Sequence, residues 1–291
     1  MTDASLVPGQ QHTRGALPFN QVDVFSTDRL YGNPVAVVHD SASLTDHQMA
    51  AFARWTNLSE TTFLLPPTDP AADYRVRIFT PTEELPFAGH PTLGSAHAWL
   101  EAGGSPQNED SVVQECAAGL VRVRRSEVLA FEAPPLRRHE PADADSIARI
   151  AAALRLPPAE IQSAYWVVNG PKWVAALLKD ADTVLGVEPD FAAMDGLEIG
   201  IVGRYPAGSD CDVEVRGFVG GSQGFEDPVT GSLNAGIAQW LIPGGQLPAS
   251  YVASQGTVLG CRGRVHVRFD EGRTWVGGAT NTVVRGSVEL D

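Results

Sequence analysis

The sequence predicts an α+β fold made of two similar halves. Strand-like segments outnumber helical ones and do not alternate with them regularly, a pattern typical of α+β rather than α/β proteins. A unit made of a turn and a helix occurs twice, over residues 84–104 and 226–245. With 291 residues, the chain is long enough for two domains that each bury a core.

The elements before the first repeated unit follow from turn signals and periodicity. Residues 1–17 are polar, rich in turn formers and aperiodic, so we expect a disordered tail there. The turn Tyr31-Gly32-Asn33-Pro34 between two β-rich runs predicts a hairpin over residues 18–38. The remaining elements are a helix that starts at Thr45, a strand over residues 61–65 and an alternating strand over residues 74–79.

The repeated unit consists of an acid, a proline, a Gly-polar turn, a helix of small residues, a Trp-Leu pair and a Gly-Gly end. Gly89 and Gly94 of the first copy recur as Gly231 and Gly236, each 142 residues later. A duplication explains this agreement better than chance does.

The repeated turn also points to anion binding. The first N–H groups of a helix lack partners, the helix dipole adds partial positive charge there, and glycine leaves room for a ligand. If the halves face each other, two helix N-termini converge on one cleft, and a carboxylate-bearing substrate is the expected occupant. Ordinary capped starts of two buried helices would also explain Gly, Ser and Pro at these positions.

A linker is predicted over residues 133–138, because two adjacent prolines fit neither a helix nor a sheet interior. We therefore expect an N-terminal barrel domain over residues 18–132 plus 280–291, and a C-terminal barrel domain over residues 133–279. The elements predicted after the linker are a helix over 145–154, a strand over 165–168, a helix over 171–178, strands over 199–202 and 213–219, the second repeated helix and a hairpin over 265–277.

Composition limits the classes of partner and the cell compartment. The formal net charge of −14 argues against binding to nucleic acid or to an anionic membrane surface. The cysteines Cys116, Cys211 and Cys261 are odd in number and far apart, so neither a disulfide framework nor a zinc site is expected. The sequence contains no apolar stretch of membrane-spanning length and no signal-peptide pattern, which favours a cytoplasmic location.

A series of short segments recurs in the order of a known family and covers nearly everything after residue 18. The segments are Val22–Phe25, Gly32–Pro34, Asn57–Thr61, Arg77–Pro81, Glu84, Phe87–Thr92, Glu226–Ser232, Gln255-Gly256 and Gly277-Gly278. Together they resemble the PhzF-like (phenazine-biosynthesis-like) branch of the diaminopimelate epimerase-fold superfamily. The resemblance implies two pseudo-symmetric domains, each a mixed β-barrel around a central helix, with the active site between them. It implies no cofactor, and a homodimer is compatible with it.

The resemblance also implies roles for individual residues. Glu60 matches a glutamate that shuttles a proton, and a carboxyl group in a closed apolar cleft would have a raised pKa, as a general acid/base requires. Without the resemblance, Glu60 would be interpreted as an exposed loop carboxylate. The other implied catalytic residues are His90 and Asp227, the implied substrate-binding residues are Gly89, Gly231 and Ser232, and no metal ligand is implied.

These observations predict a cofactor-independent isomerase that moves a proton, and with it a double bond, in a small carboxylate-bearing metabolite of specialised or antibiotic biosynthesis. An amino-acid racemase or epimerase is one alternative, although neither repeated turn contains the cysteine that such enzymes of this fold use. A non-catalytic ligand-binding protein is another. A serine hydrolase is disfavoured: Gly220–Gly224 has the Gly-x-Ser-x-Gly pattern around Ser222, but the required helix does not follow at once.

Overall fold

The computed structural model describes residues 15–221 and 224–290, and the strands in this part of the chain belong to one continuous mixed sheet. The first half contains strands β1 (Leu17–Val24), β2 (Asn33–Val38), β3 (Glu60–Leu65), β4 (Tyr74–Phe79), β5 (Glu84–Leu85), β6 (Ser111–Cys116), β7 (Gly119–Arg125) and β8 (Leu129–Glu132), with helices α1 (Asp46–Thr56) and α2 (Gly89–Glu101). The second half contains β9 (Arg138–Pro141), β10 (Ser163–Val168), β11 (Trp173–Leu177), β12 (Glu198–Arg204), β13 (Val213–Val219), β14 (Phe225–Asp227), β15 (Ser250–Gln255), β16 (Gly263–Asp270) and β17 (Arg273–Gly278), with helices α3 (Ala144–Leu154), α4 (Ala181–Leu185) and α5 (Gly231–Leu241). The last strand, β18 (Thr280–Val288), returns to the first half and pairs antiparallel with β1.

The two halves have the same strand order and the same pairing directions. In the first half, β1–β2 and β3–β4 are antiparallel, β2–β3 and β4–β6 are parallel, and β6, β7 and β8 follow as antiparallel neighbours. Strands β10, β11, β12, β13, β15, β16 and β17 repeat this series step by step. The halves join where β8 pairs antiparallel with β17. The duplication predicted from the repeated turns is therefore confirmed in the topology.

Each half-sheet wraps around one central helix, and small residues allow the close contact. Helix α2 packs against β1, β2, β3 and β8, and α5 packs against β10, β11, β16 and β17. A Cβ added at Gly94 would lie 2.3 Å from Cγ1 of Val35, and one added at Gly236 would lie 2.9 Å from Cβ of Val167. These equivalent glycines leave the space that the neighbouring strands occupy.

The other helices cover the outer faces of the sheet. Helix α1 begins at the predicted Thr45, whose side chain forms a capping box with Gln48. Its apolar face buries Met49 and Phe52 in a cluster that includes Phe63. Helices α3 and α4 form a corresponding apolar layer over β11 and β12. In each half, these helices therefore pack on the face of the sheet opposite to the central helix.

The acid that opens each repeated unit forms an equivalent ion pair in each half. Nε and Nη2 of Arg77 donate to the carboxylate oxygens of Glu84 at 2.7 Å each. Nε and Nη2 of Arg216 donate to those of Glu226 at 2.9 and 2.8 Å. The side chains of the first pair are 24% and 37% exposed, whereas those of the second are 2% and 6% exposed. Each pair ties the strand before the repeated turn to the short strand that enters it.

The helix predicted over residues 171–178 is wrong. Residues Trp173–Leu177 form β11, which pairs antiparallel with β10 and parallel with β12. Every residue of β11 is buried, so its sequence is a continuous apolar run without the alternation of a half-buried strand. Such a run does not distinguish a fully buried strand from a buried helix.

The tail expected over residues 1–17 can be compared with the structure only at its end, because residues 1–14 lie outside the described part of the chain. Leu17 already belongs to β1, where it pairs with Val288. Within the described residues, the first strand therefore begins one residue earlier than the sequence predicts.

Candidate active site

The N-termini of α2 and α5 meet at the boundary between the halves. A Cβ added at Gly231 would lie 3.0 Å from Cα of Gly89 and 3.2 Å from the backbone nitrogen of His90. The residues that precede the helices, Ala88 and Thr230, provide no side-chain cap. Two positive helix ends thus meet with uncapped N–H groups, an arrangement that negative charge stabilises. The two glycines, predicted from the sequence to leave room for a ligand, thus also allow the two helices to approach each other closely.

Glu60 and His90 face each other beside this junction. Glu60 is the first residue of β3, and its Oε2 lies 3.3 Å from Nε2 of His90 in the first turn of α2. Their side chains are 15% and 4% exposed. The two atoms are not aligned for a hydrogen bond, and neither has another partner among the described residues. Both can therefore interact with a third group that approaches them from the side.

Burial sets the protonation of both groups. Burial raises the pKa of Glu60 well above its ordinary value of 4.5, and the nearby charge of Asp227 raises it further. Burial lowers the pKa of His90 to about 3, against a smaller opposite effect of a hydrogen bond with the backbone of Pro34. The imidazole is therefore neutral at physiological pH, whereas the Glu60 carboxyl can hold a proton and release it.

Asp227 brings a second carboxylate to this site from the other half. It is the last residue of β14; its Oδ1 accepts from Nδ2 of Asn33 at 3.0 Å and its Oδ2 accepts from Oγ1 of Thr230 at 2.6 Å. Burial raises the pKa of Asp227 to about 6, although these two hydrogen bonds oppose the shift. Glu60 and Asp227 thus interact across the boundary between the halves and titrate together.

Asn33 is a site residue to which the sequence analysis assigned no role. Its fully buried Nδ2 donates to Oδ1 of Asp227 and to the backbone oxygen of Val229, both at 3.0 Å, and lies 3.5 Å from Nδ1 of His90. The only sequence signal for this residue was that Gly32-Asn33-Pro34 is one of the segments that carry the resemblance. In the structure, Asn33 joins the two halves at the site.

Gln255 is the second missed residue, and it fixes the turn before α5. Its Oε1 accepts from the backbone N–H of Thr230 at 3.0 Å and from Nδ2 of Asn234 at 2.8 Å. Its Nε2 donates to Oγ1 of Thr230 at 2.9 Å and to the backbone oxygen of Asp227 at 3.2 Å. One side chain thus holds Asp227 and the first turn of α5 in a fixed relation.

Ser232 lies in the first turn of α5. Its Oγ accepts from Nε1 of Trp173 at 3.0 Å, and its backbone oxygen accepts from Nδ2 of Asn169 at 2.8 Å. The hydroxyl keeps its own proton for donation. With Ser232, all six site residues named from the sequence lie at or beside the junction of α2 and α5.

The hydrolase pattern lacks the required structural context. Ser222 lies outside the described residues, but β13 before it is followed by the strand β14, and α5 begins only at Gly231. A nucleophile elbow requires a strand that turns directly into a helix. In residues 15–221 and 224–290, no group of three or more His, Cys, Asp or Glu side chains could hold a metal ion. The described helices include none that is long and apolar enough to cross a membrane.

Comparison with known proteins gives concordant results. A family model described as phenazine biosynthesis-like protein, PhzC-PhzF, matches residues 22–286. Antisense-enhancing sequence 1 of Schizosaccharomyces pombe is 34% identical over 92% of this chain and 97% of its own length. The trans-2,3-dihydro-3-hydroxyanthranilate isomerase of Pseudomonas aeruginosa is 32% identical over 86% of this chain and 89% of its own length.

Solved structures agree with the fold. A PhzF-family protein of Enterococcus faecalis has a TM-score of 0.77 and 27% identity, and the match covers 95% of this chain and all of that one. A hydroxyproline epimerase of Agrobacterium vitis has a TM-score of 0.59 and 16% identity over 95% and 93% of the two chains, which supports the fold alone. The expected diaminopimelate epimerase-like α+β fold is confirmed. The chain belongs to the PhzC-PhzF family of phenazine biosynthesis-like proteins and is an isomerase of that family.

Proposed function

We propose that the chain is a cofactor-independent isomerase that moves a proton between two carbons of a small unsaturated carboxylate and thereby shifts a double bond. The observation that carries the proposal is the pair of buried carboxyl groups, Glu60 and Asp227, that come together from opposite halves beside the neutral imidazole of His90. General acid/base chemistry needs such a group with a pKa near the working pH.

The substrate carboxylate would bind where α2 and α5 meet. Backbone N–H groups of Gly89, Gly231 and Ser232 belong to the uncapped first turns of these helices. Such N–H groups, together with the helix dipoles, favour an anion. The neighbouring double bond would acidify the proton on the carbon beside it, and the helix N-termini would stabilise the negative charge that develops on the substrate.

Glu60 would carry the proton. In the first step its carboxylate takes a proton from a carbon next to the double bond; the C–H electron pair forms a new double bond, and the electron pair of the original double bond shifts to the far carbon. In the second step that electron pair takes the proton back from the protonated Glu60 and forms the new C–H bond. His90 would stay neutral and orient the reacting groups; its Nε2 lies 3.3 Å from Oε2 of Glu60 and has no hydrogen-bond partner among the described residues. Burial, together with the charge of Asp227, would keep the pKa of Glu60 high enough for it to hold the proton between the steps.

The relatives named above suggest the first compound to test. Trans-2,3-dihydro-3-hydroxyanthranilate, the substrate named for the P. aeruginosa relative, is a small unsaturated carboxylate. We propose that this chain acts on this compound or a close analogue, in the biosynthesis of a specialised metabolite. Incubation in D2O followed by NMR would report both product formation and deuterium at the carbon that receives the proton.

Glu60→Gln tests the assigned role. The amide keeps the shape of the side chain but cannot exchange the proton, so we expect turnover to fall by about 10² to 10⁴ while the fold and ligand binding persist. Glu160→Gln, at an exposed glutamate, is the matched control and should behave as the wild type. Turnover of Glu60→Gln within a few-fold of the wild type would refute the role of Glu60. Inversion at a single carbon would instead favour the racemase alternative, and tight binding with no deuterium exchange would favour a binding protein.

A further inference from the structure

Glu198 occupies in the second half the position that Glu60 occupies in the first. Each glutamate is the first residue of its strand, β12 or β3, and each strand runs parallel to an inner neighbour. Glu60 lies opposite Val35 of β2, and Glu198 lies opposite Trp173 of β11. The residue numbers differ by 138 in both cases. The shared strand series of the two halves makes these positions equivalent.

The side chain of Glu198 lies on the same face of the sheet as α5. Directly opposite residues in neighbouring strands point to the same face, and so do residues two apart in one strand. Trp173 donates to Oγ of Ser232 in α5, and a Cβ added at Gly200 would lie 2.3 Å from Cδ1 of Leu233 in α5. Both neighbours of Glu198 on that face therefore contact the first turn of α5.

Two acceptors at this position are buried and have no partner among the described residues. One is Oε2 of Glu198. The other is Oδ1 of Asn169, a residue that is 2% exposed and whose Nδ2 donates to the backbone oxygen of Ser232. Asn169 thus lies against the first turn of α5. Buried acceptors without a donor cost free energy, which a ligand that carries a donor would recover.

The two glutamates differ in one local feature. Position 34, next to Val35, is a proline and offers no N–H, whereas the corresponding position 172, next to Trp173, is a lysine. Burial raises the pKa of Glu198, and the charge of Glu83 acts in the same direction, but the backbone N–H and the charge of Lys172 oppose the shift. The pKa of Glu198 is therefore raised less strongly than that of Glu60, so Glu198 is the better suited of the two to accept a hydrogen bond and Glu60 to carry a proton.

We propose that Glu198 and Asn169 form the second half's side of the active site and bind a hydrogen-bond donor of the substrate, an ammonium or a hydroxyl group. This contact would fix which carbon of the bound carboxylate faces Glu60. Glu198 is then a positioning residue that selects carboxylates with a donor substituent. The inference rests on the proposed function for the identity of the site, but binding alone can test it.

The test measures the affinity of three simple acids by calorimetry: benzoate, which carries only a carboxylate, anthranilate, which adds an amino group, and 3-hydroxybenzoate, which adds a hydroxyl group. We expect the wild type to prefer at least one donor-bearing acid over benzoate by about tenfold or more, the usual effect of a hydrogen bond to a charged group. Glu198→Gln should lose this preference and keep its affinity for benzoate. The matched control is Glu214→Gln, since Glu214 is a fully buried carboxyl in the same half that interacts with Tyr205.

A preference that persists in Glu198→Gln, or that is lost equally in Glu214→Gln, overturns the proposal. Equal affinity of the wild type for the three acids, or no binding of any of them, overturns it as well. With a turned-over substrate, Glu198→Gln should raise KM much more than it lowers kcat, the opposite of Glu60→Gln. If Glu60→Gln remains active while the preference depends on Glu198, the proposed proton transfer fails and the binding role stands.

Discussion

Loss of the arginine from the buried ion pair of the second half should destabilise the protein far more than loss of the arginine from its more exposed counterpart. Besides its two bonds to Glu226, Arg216 donates through Nη1 to the backbone oxygens of Val184 and Val187 at 3.1 and 2.6 Å. Arg216→Met removes all four bonds and leaves the Glu226 carboxylate, which is 6% exposed, without a countercharge. Loss of one partner of a buried pair costs about 3–5 kcal/mol of unfolding free energy. Arg77→Met, in the exposed pair, should cost about 1 kcal/mol.

Equilibrium unfolding in urea, read by circular dichroism, measures both variants under the same conditions. Addition of Glu226→Gln to Arg216→Met removes the uncompensated charge and should restore part of the lost stability, whereas Glu84→Gln added to Arg77→Met should change little. If Arg216→Met proved no more costly than Arg77→Met, the assignment of burial as the factor that separates the two pairs would be wrong.

Two further predictions concern the helix junction. The folded-state pKa of Asp227 is raised from 3.8 to about 6, so folding favours the protonated form of its carboxyl group. The contribution of this group to the free energy of unfolding is therefore complete below pH 4 and is lost as the pH rises through 6. As the pH rises from 4 to 7, the unfolding free energy of Asp227→Asn, measured in urea, should therefore increase by up to about 3 kcal/mol relative to that of the wild type. If the difference in unfolding free energy between variant and wild type stayed constant across that range, the raised pKa would be contradicted. Gly231→Ala should destabilise the protein by about 1–3 kcal/mol and weaken carboxylate binding, because its Cβ meets Gly89. Gly286→Ala, where an added Cβ meets nothing within 4 Å, is the control for thermal unfolding, and equal effects of the two changes would refute the close contact.

The repeated turns allowed the duplicated fold and the helix junction to be predicted from the sequence. Gly94 and Gly236 stand at the same position of the two repeated units because each lies where a central helix contacts a neighbouring strand. Residues 173–177 could not be assigned, because a strand that is buried on both faces has lost the alternation that identifies strands. Only the pairing of β11 with its two neighbouring strands identifies it as a strand.

The candidate site was predictable in part for a similar reason. His90 and Ser232 stand in the repeated turns, where the sequence itself aligns the two halves. Glu60 and Glu198 stand outside them, at a spacing of 138 rather than 142, because the intervening loops differ in length. Their equivalence appears only in the strand register. The bridging role of Asn33 likewise depends on contacts between residues almost 200 positions apart.

The return of β18 to β1 has a consequence for how the chain folds as it is synthesised. In the second half, β9 is synthesised before β10 and pairs with it. The outer edge of β10 can therefore pair as soon as both strands have been synthesised. In the first half, β1 pairs on one side with β2, but its other edge must wait for residues 280–288. At about 5–20 residues per second, that wait lasts roughly 13–50 s on the ribosome. During this interval the nascent first half exposes an unpaired strand edge, the kind of surface on which chains aggregate and to which chaperones bind. Fragments that end before residue 280 should share this weakness and should be recovered mainly as aggregates.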